Sequence, residues 1–195
     1  VQKSFDEFIK MDKNKYAVSG NVMGNPNGDK IYVYSDFMCP FCRVTNIMVS
    51  KFAHEEKRVI IIHENYPLDT ECNKYIPHTV HPGACTLARY ALAAKKQNKY
   101  WDMANLIFDE HPTSEAEILR LSEKINIDIA KLVEDVGSTE VQNELLAQID
   151  SAYKRGIFGT PTIVIDDIPY TSAMPYYRIK TLYSQALKRH KRAQR

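Results

Sequence analysis

Ile31-Tyr32-Val33-Tyr34-Ser35-Asp36-Phe37-Met38-Cys39-Pro40-Phe41-Cys42 runs from a short β-rich segment straight into a C-P-F-C turn. Beyond it Val44, Ile47, Met48 and Phe52 recur at helical spacing through residues 41 to 57, and Arg58 to His63 is strongly β-branched. The stretch therefore reads as strand, helix, strand. Such a unit predicts a parallel strand pair with a right-handed crossover, and the turn that opens its helix is where α/β folds commonly place their chemistry.

A cysteine at the start of a helix meets unsatisfied main-chain N–H groups and the positive end of the helix dipole, which favour thiolate over thiol. Cys39 holds that position. Pro40 suits the first helical residue, where an N–H is not required, and Cys42 shares the helical face of Cys39 within disulfide reach. The pair predicts a small, labile disulfide. A substrate thiolate opens it, a mixed disulfide forms at Cys39, and a second substrate thiol resolves it, so that a dithiol is oxidised. C-x-x-C is also half of a zinc site, but the strong form of that site needs a second close pair. Cys72 and Cys85 have twelve residues between them, so a zinc-stabilised binding module using all four cysteines is the competing reading.

Working outward, Ser4 to Lys13 suits a short amphipathic helix and Tyr16-Ala17-Val18-Ser19 an edge strand. Met23-Gly24-Asn25-Pro26-Asn27-Gly28-Asp29 is dense in turn formers and predicts a surface loop. Between Thr79 and Gly156 the pattern is almost entirely helical, with segments near 83 to 97, 99 to 109, 115 to 124, 128 to 136 and 139 to 155. Ser114 and Glu117 are spaced as a capping box. Trp101, Met103, Leu106, Ile107 and Phe108 form an apolar helical set, read as core. Gly159-Thr160-Pro161-Thr162 then introduces a hairpin, Thr162-Ile163-Val164-Ile165 and Ile168-Pro169-Tyr170 about Asp166-Asp167, and a closing helix spans about Tyr176 to Lys191. A proline entering a strand cannot donate a ladder bond, which implies an edge, a bulge or a cis peptide.

The chain has 195 residues, 44% apolar and 26% charged, enough for one domain with a sizeable insertion. Its longest aliphatic runs, such as Val59-Ile60-Ile61-Ile62, fall far short of the ~20 residues that cross a bilayer. The net charge is +2, but Lys188, Arg189, Lys191, Arg192 and Arg195 crowd the last eight positions, and the remainder is net −3. A nucleic-acid surface is therefore not expected, because phosphate binding needs clustered positive charge on the folded body. Val1 opens no signal peptide, which fits either a cytosolic chain or a mature secreted one.

The order strand, C-P-F-C, helix, strand, helical block, Gly-Thr-Pro, hairpin, helix resembles the DsbA-like family of thioredoxin-fold thiol:disulfide oxidoreductases over nearly the whole chain. The residues that carry it are Ser35 to Cys42, Gly156-Ile157-Phe158-Gly159-Thr160-Pro161-Thr162, and Tyr66-Pro67-Leu68 on to His81-Pro82-Gly83-Ala84-Cys85. The resemblance implies an α/β thioredoxin fold over residues 14–75 and 157–195, an all-helical insertion over 76–156 and a helical extension over 1–13. It further implies a cis-proline at Pro161 and main-chain hydrogen bonds from Thr160 to an extended substrate, a form of β-augmentation. By the same resemblance Cys39 is the attacking thiol and Cys42 the resolving one. Substrates would be reduced or unfolded proteins outside the cytoplasm, as in the periplasm. Reoxidation would come from a membrane partner, a DsbB-like or vitamin K epoxide reductase-like quinone reductase. A monomer is expected, with no cofactor beyond the redox-active disulfide and no metal.

Two positions depart from the family. The strand Ile31 to Tyr34 lacks the buried acid that assists proton transfer, leaving Asp36 as the nearest candidate, with a helix cap as its other role. Phe41 replaces the histidine of the most oxidising members, which predicts a less depressed Cys39 pKa and a milder oxidant. Cys72 and Cys85 read as a structural disulfide worth about 3 kcal/mol by loop entropy. A second redox pair, or a metal site with His78 or His81, is the alternative. Met38 and Phe41 are candidates for an exposed apolar collar that binds substrate, while Phe37 is read as core and His63 as a structural histidine. Oxidation is expected over isomerisation or reduction, since the segment before the first core strand is too short for a dimerisation domain.

Overall fold

The β-branched runs form strands and the apolar periodic runs form helices in a computed structural model that describes residue 10 and residues 17–193. The expected N-terminal extension, apart from Lys10, lies outside the described residues, as do Tyr16 and Arg195. The order is β1 (Ala17–Ser19), β2 (Val22–Gly24), β3 (Asp29–Ser35), α1 (Pro40–Glu55) and β4 (Val59–Asn65), then the helical block. That block comprises α2 (Ala84–Lys95), α3 (Tyr100–Glu110), α4 (Glu115–Ser122), a 3₁₀ turn (Glu123–Ile125), α5 (Ile129–Val136) and α6 (Thr139–Lys154). β5 (Thr162–Ile165), β6 (Ile168–Thr171) and α7 (Tyr176–Ala193) follow.

The strands form one mixed sheet in the order β1-β2-β4-β3-β5-β6. β3 and β4 are parallel with Ile31 opposite Ile61, and β5 runs antiparallel to β3 with Val33 opposite Ile163. α1 is the crossover between β3 and β4, and α7 packs beside it through Phe52 and Tyr183, whose ring centroids are 5.6 Å apart. This is the expected thioredoxin fold with a helical insertion.

The turn-rich segment is not all loop. Met23 is buried in β2, with Gly24 opposite Ile60 of β4. A Cβ at Gly24 would meet the Val59 carbonyl oxygen at 2.6 Å, so glycine here permits a close strand approach, where the sequence suggests only a turn. The Ser114 cap also differs in detail. Its hydroxyl accepts from Glu117 N–H at 3.3 Å, but the Glu117 carboxylate returns to Thr113 N–H at 2.9 Å, one residue outside the expected reciprocal pair.

α2 is the centre of the helical block. Ala88, Ala91, Ala93 and Ala94 are all buried, and their small side chains let neighbouring helices approach closely. The block is tied to the sheet by polar contacts as well as by packing. Trp101 Nε1 donates to the Val22 carbonyl at 3.0 Å, Asn65 pairs with Gln148, and His63 Nδ1 meets Tyr100 Oη at 2.7 Å. Phe37 packs on Phe108 with ring centroids 4.8 Å apart, so the residue that opens the cysteine turn is anchored in the insertion's core.

Candidate active site at the C-P-F-C turn

β3 ends at Ser35 and α1 begins at Pro40, with Cys39 as the N-cap residue in an extended conformation and no side-chain cap. The Cys39 carbonyl accepts from Cys42 N–H at 3.0 Å, which closes the first turn. Both cysteines are free thiols and both are buried, Cys42 more deeply. The peptide bond between Thr160 and Pro161 is cis, and the Thr160 carbonyl lies 3.8 Å from Cys39 Sγ. Segments 121 residues apart thus meet at one sulfur.

The two thiols are electrostatically unlike. Cys39 is pulled down to about 6, chiefly by the Cys42 thiol that donates to it, with the main-chain N–H groups of Cys42 and Phe41 acting against the cost of burial. Burial pushes Cys42 far up, and the hydrogen bond it gives Cys39 pushes it further. One sulfur is therefore poised as a thiolate and leaving group at neutral pH, and the other holds its proton. That division of labour is what dithiol–disulfide exchange needs.

Apolar side chains adjoin the pair along the chain. Met38 is exposed, Phe41 is 62% exposed, and Phe37 is buried. Phe158, 61% exposed on the loop before Pro161, adds an aromatic that the sequence reading does not single out. It sits edge-on to Tyr153, which stacks on Tyr75 at 3.9 Å. A bulky aromatic flanked by Gly156 and Gly159 beside the cis-proline is the sequence signal that could have found it.

Asp36 is fully buried, and its carboxylate has three donors: Met38 N–H at 2.7 Å on Oδ1, then Leu68 N–H at 2.7 Å and His81 Nδ1 at 3.0 Å on Oδ2. It does not cap α1, whose N-cap is Cys39. Cys72 and Cys85 are joined with an S–S distance of 2.07 Å, and both are buried. His78 is exposed. Among the described residues the one cluster with metal-ligand proximity is Asp69, Glu71 and Cys85, whose sulfur is already committed to the disulfide.

His63 is wholly buried and held neutral, its pKa pushed down to about 3 by desolvation. Its strand neighbour Glu64 is pushed up to about 7, also by desolvation.

Comparison with known proteins places this geometry. A Na(+)/H(+) antiporter NhaA 1 of Mycolicibacterium vanbaalenii is 29% identical over 139 residues, which is 69% of this chain and 21% of that protein. The chain spans about a fifth of the length of the curated relatives it matches. Among its described residues no helix is long and apolar enough to cross a membrane. A thioredoxin-like oxidoreductase from Silicibacter pomeroyi superposes with a TM-score of 0.75 at 24% identity, covering 91% of this chain and 99% of that one. The thiol-disulfide exchange protein alpha-DsbA2 of Wolbachia pipientis gives 0.73 at 16% identity, covering 94% and 96%. The model of the DSBA-like thioredoxin domain family matches residues 30–185, a span that takes in the cysteine turn, the disulfide loop, the helical block and the Thr160–Pro161 peptide. By that match the chain belongs to the DSBA-like thioredoxin domain family.

Proposed function

We propose that this domain oxidises dithiols in reduced or unfolded proteins outside the cytoplasm. A substrate thiolate attacks Cys39 Sγ, the Cys39–Cys42 bond breaks, and Cys42 leaves with the electron pair and takes up a proton. A second substrate thiolate then attacks the substrate sulfur of the mixed disulfide, and Cys39 leaves as thiolate. The substrate loses two electrons and gains a disulfide, and the domain is left reduced. The observation that carries this reading is the contrast between Cys39, held down to about 6, and Cys42, held protonated in the interior.

Stabilising the Cys39 thiolate stabilises the reduced domain and makes its disulfide oxidising. A value of about 6 lies between the ~7 of thioredoxin and the ~3.5 of the strongest oxidant of this kind, which supports a milder oxidant. Phe41 has no polar group to offer the sulfur, in keeping with that rank. Thr160 beside the cis-proline gives an extended substrate main chain to pair with, and Met38, Phe41 and Phe158 give it apolar contact. In this reading Asp36 is not the proton donor, since its oxygens are engaged by Met38, Leu68 and His81.

The Cys72–Cys85 disulfide supports an oxidising compartment, and its burial supports a structural role over a second redox pair. It also removes two of the four sulfurs that a zinc module would use. A quinone-linked membrane reductase of the DsbB or vitamin K epoxide reductase kind is the proposed reoxidising partner, with the domain acting as a monomer.

The test is the Cys39/Cys42 reduction potential, measured beside oxidative refolding of a reduced protein. The expected potential lies between about −270 and −120 mV, with substrate oxidation. A potential near −270 mV with no substrate oxidised would overturn the oxidase reading.

A further inference from the structure

Asp36 touches the cysteine pair with its main chain and the disulfide loop with its side chain. Its N–H points at Cys42 Sγ at 3.4 Å and its carbonyl accepts from Cys39 N–H at 3.1 Å. Its carboxylate accepts from Leu68 N–H and from His81 Nδ1, both on the loop that ends in Cys85. That loop is itself a braced unit. Leu68 carbonyl accepts from Val80 and His81 N–H at 2.8 and 3.0 Å, Asp69 Oδ2 accepts from Gly83 N–H at 2.8 Å, and the Cys72–Cys85 bond closes its far side.

We propose that Asp36 is a positioning residue for disulfide exchange, through which His81 and the braced loop hold a main-chain N–H on the departing Cys42 sulfur. The inference rests on the exchange reaction described above. When a substrate thiolate attacks Cys39, negative charge develops on Cys42 in a buried setting where water cannot solvate it. A fixed N–H at that atom gains strength as the charge appears. The Asp36 N–H also works against the upward pressure of burial on the Cys42 thiol. A donor is useful only if it is already aimed, and the Asp36 peptide is aimed by a buried carboxylate with three partners. A buried carboxylate needs such partners, so the loop contacts fix where the Asp36 peptide sits.

Charge and positioning act in opposite senses at this site. Removing an anion near the thiols would by itself favour thiolate and speed exchange, whereas losing the aimed N–H slows it. In Asp36→Asn, Oδ1 still accepts from Met38, but an NH₂ group faces Leu68 N–H and His81, and the loop side of the junction is lost.

The probe is dithiothreitol, which needs no peptide-binding surface, and the readout is the second-order rate of reduction of the Cys39–Cys42 disulfide in the full chain with Cys72–Cys85 intact. We expect Asp36→Asn to react roughly tenfold more slowly and His81→Ala roughly threefold, with His81→Ala adding nothing in the Asp36→Asn background. Rates unchanged or faster in Asp36→Asn, or full additivity of the two substitutions, overturn the proposal. A lowered melting temperature with unchanged rates identifies a merely structural role and overturns it too. His81 is partly exposed, so His81→Ala alone decides the matter if Asp36→Asn does not fold. An original chain whose Cys39–Cys42 disulfide resists dithiothreitol would instead remove the exchange reading underneath.

Discussion

Replacing Cys42 by alanine removes the thiol that contributes most to holding Cys39 below its ordinary value of 9.0. The drop to about 6 is three units, at most about 4 kcal/mol of preference for thiolate. Solvent at the mouth of the site screens part of that. The remaining donors, the N–H groups at the start of α1, survive the substitution. Loss of the largest contribution alone should therefore raise Cys39 by about one unit or more, without restoring it to 9.0. Cys42→Ser keeps an O–H in place and should stay close to the original. Both variants leave Cys39 without a disulfide partner, so its titration is free of redox chemistry. Iodoacetamide alkylation rate against pH, or thiolate absorbance, reads the midpoint directly. At pH 7 the Cys42→Ser protein should be about nine-tenths thiolate and Cys42→Ala about half or less. A Cys42→Ala midpoint that remains near 6 would mean that the helix start alone sets the Cys39 pKa, and the account of the pair as mutually tuned would be wrong.

Two further outcomes concern stability. His63 takes up a proton in the unfolded chain below about 6.5 but in the fold only near 3, so stability falls as pH drops through that window, by at most about 5 kcal/mol. Glu64 loses its proton in the unfolded chain above about 4.5 but in the fold only near 7, so stability falls as pH rises through that window, by at most about 3 kcal/mol. Urea unfolding should therefore show a plateau between about pH 4.5 and 6.5, where the two slopes oppose each other. Glu64→Gln should gain stability at pH 8 and not at pH 4, and an equal change at both would refute the assignment. Replacing Cys72 and Cys85 by serine opens a loop of 13-residue separation and should cost about 3 kcal/mol, roughly 6–12 °C in melting temperature. A shift under about 2 °C would show that the loop's own hydrogen bonds suffice to hold it.

The fold was legible because its decisive signals are local. A β-branched run, a proline at the first helical position and a 3.6-residue apolar period each act within a dozen residues, and the helices of the block fall within a few residues of where the pattern puts them. The two cysteines of the turn were legible for the same reason. What sequence could not show is long-range. Asp36 meets Leu68 and His81 across 32 and 45 positions, a pairing that depends on how the loop folds back. Phe158 is exposed only because of how its loop is presented, and its composition would suit a core equally well. Gly24 reads as a turn former in sequence because glycine serves both turns and close strand contacts, and the Val59 carbonyl that decides between them is supplied by a distant strand.

Four cysteines admit three pairings. The arrangement here joins Cys72 to Cys85, which leaves Cys39 to pair with Cys42 on oxidation. It is the pairing in which each cysteine takes its nearest neighbour along the chain, with no loop enclosing or crossing the other. Either alternative must close two loops of at least 30 residues, at a higher entropic cost than the native short ones. In a chain delivered N-terminus first into an oxidising space, Cys42 meets Cys39 before Cys72 arrives, and Cys85 then finds Cys72 as its remaining partner. In such a chain the order of arrival favours the same connectivity as the shorter loops do.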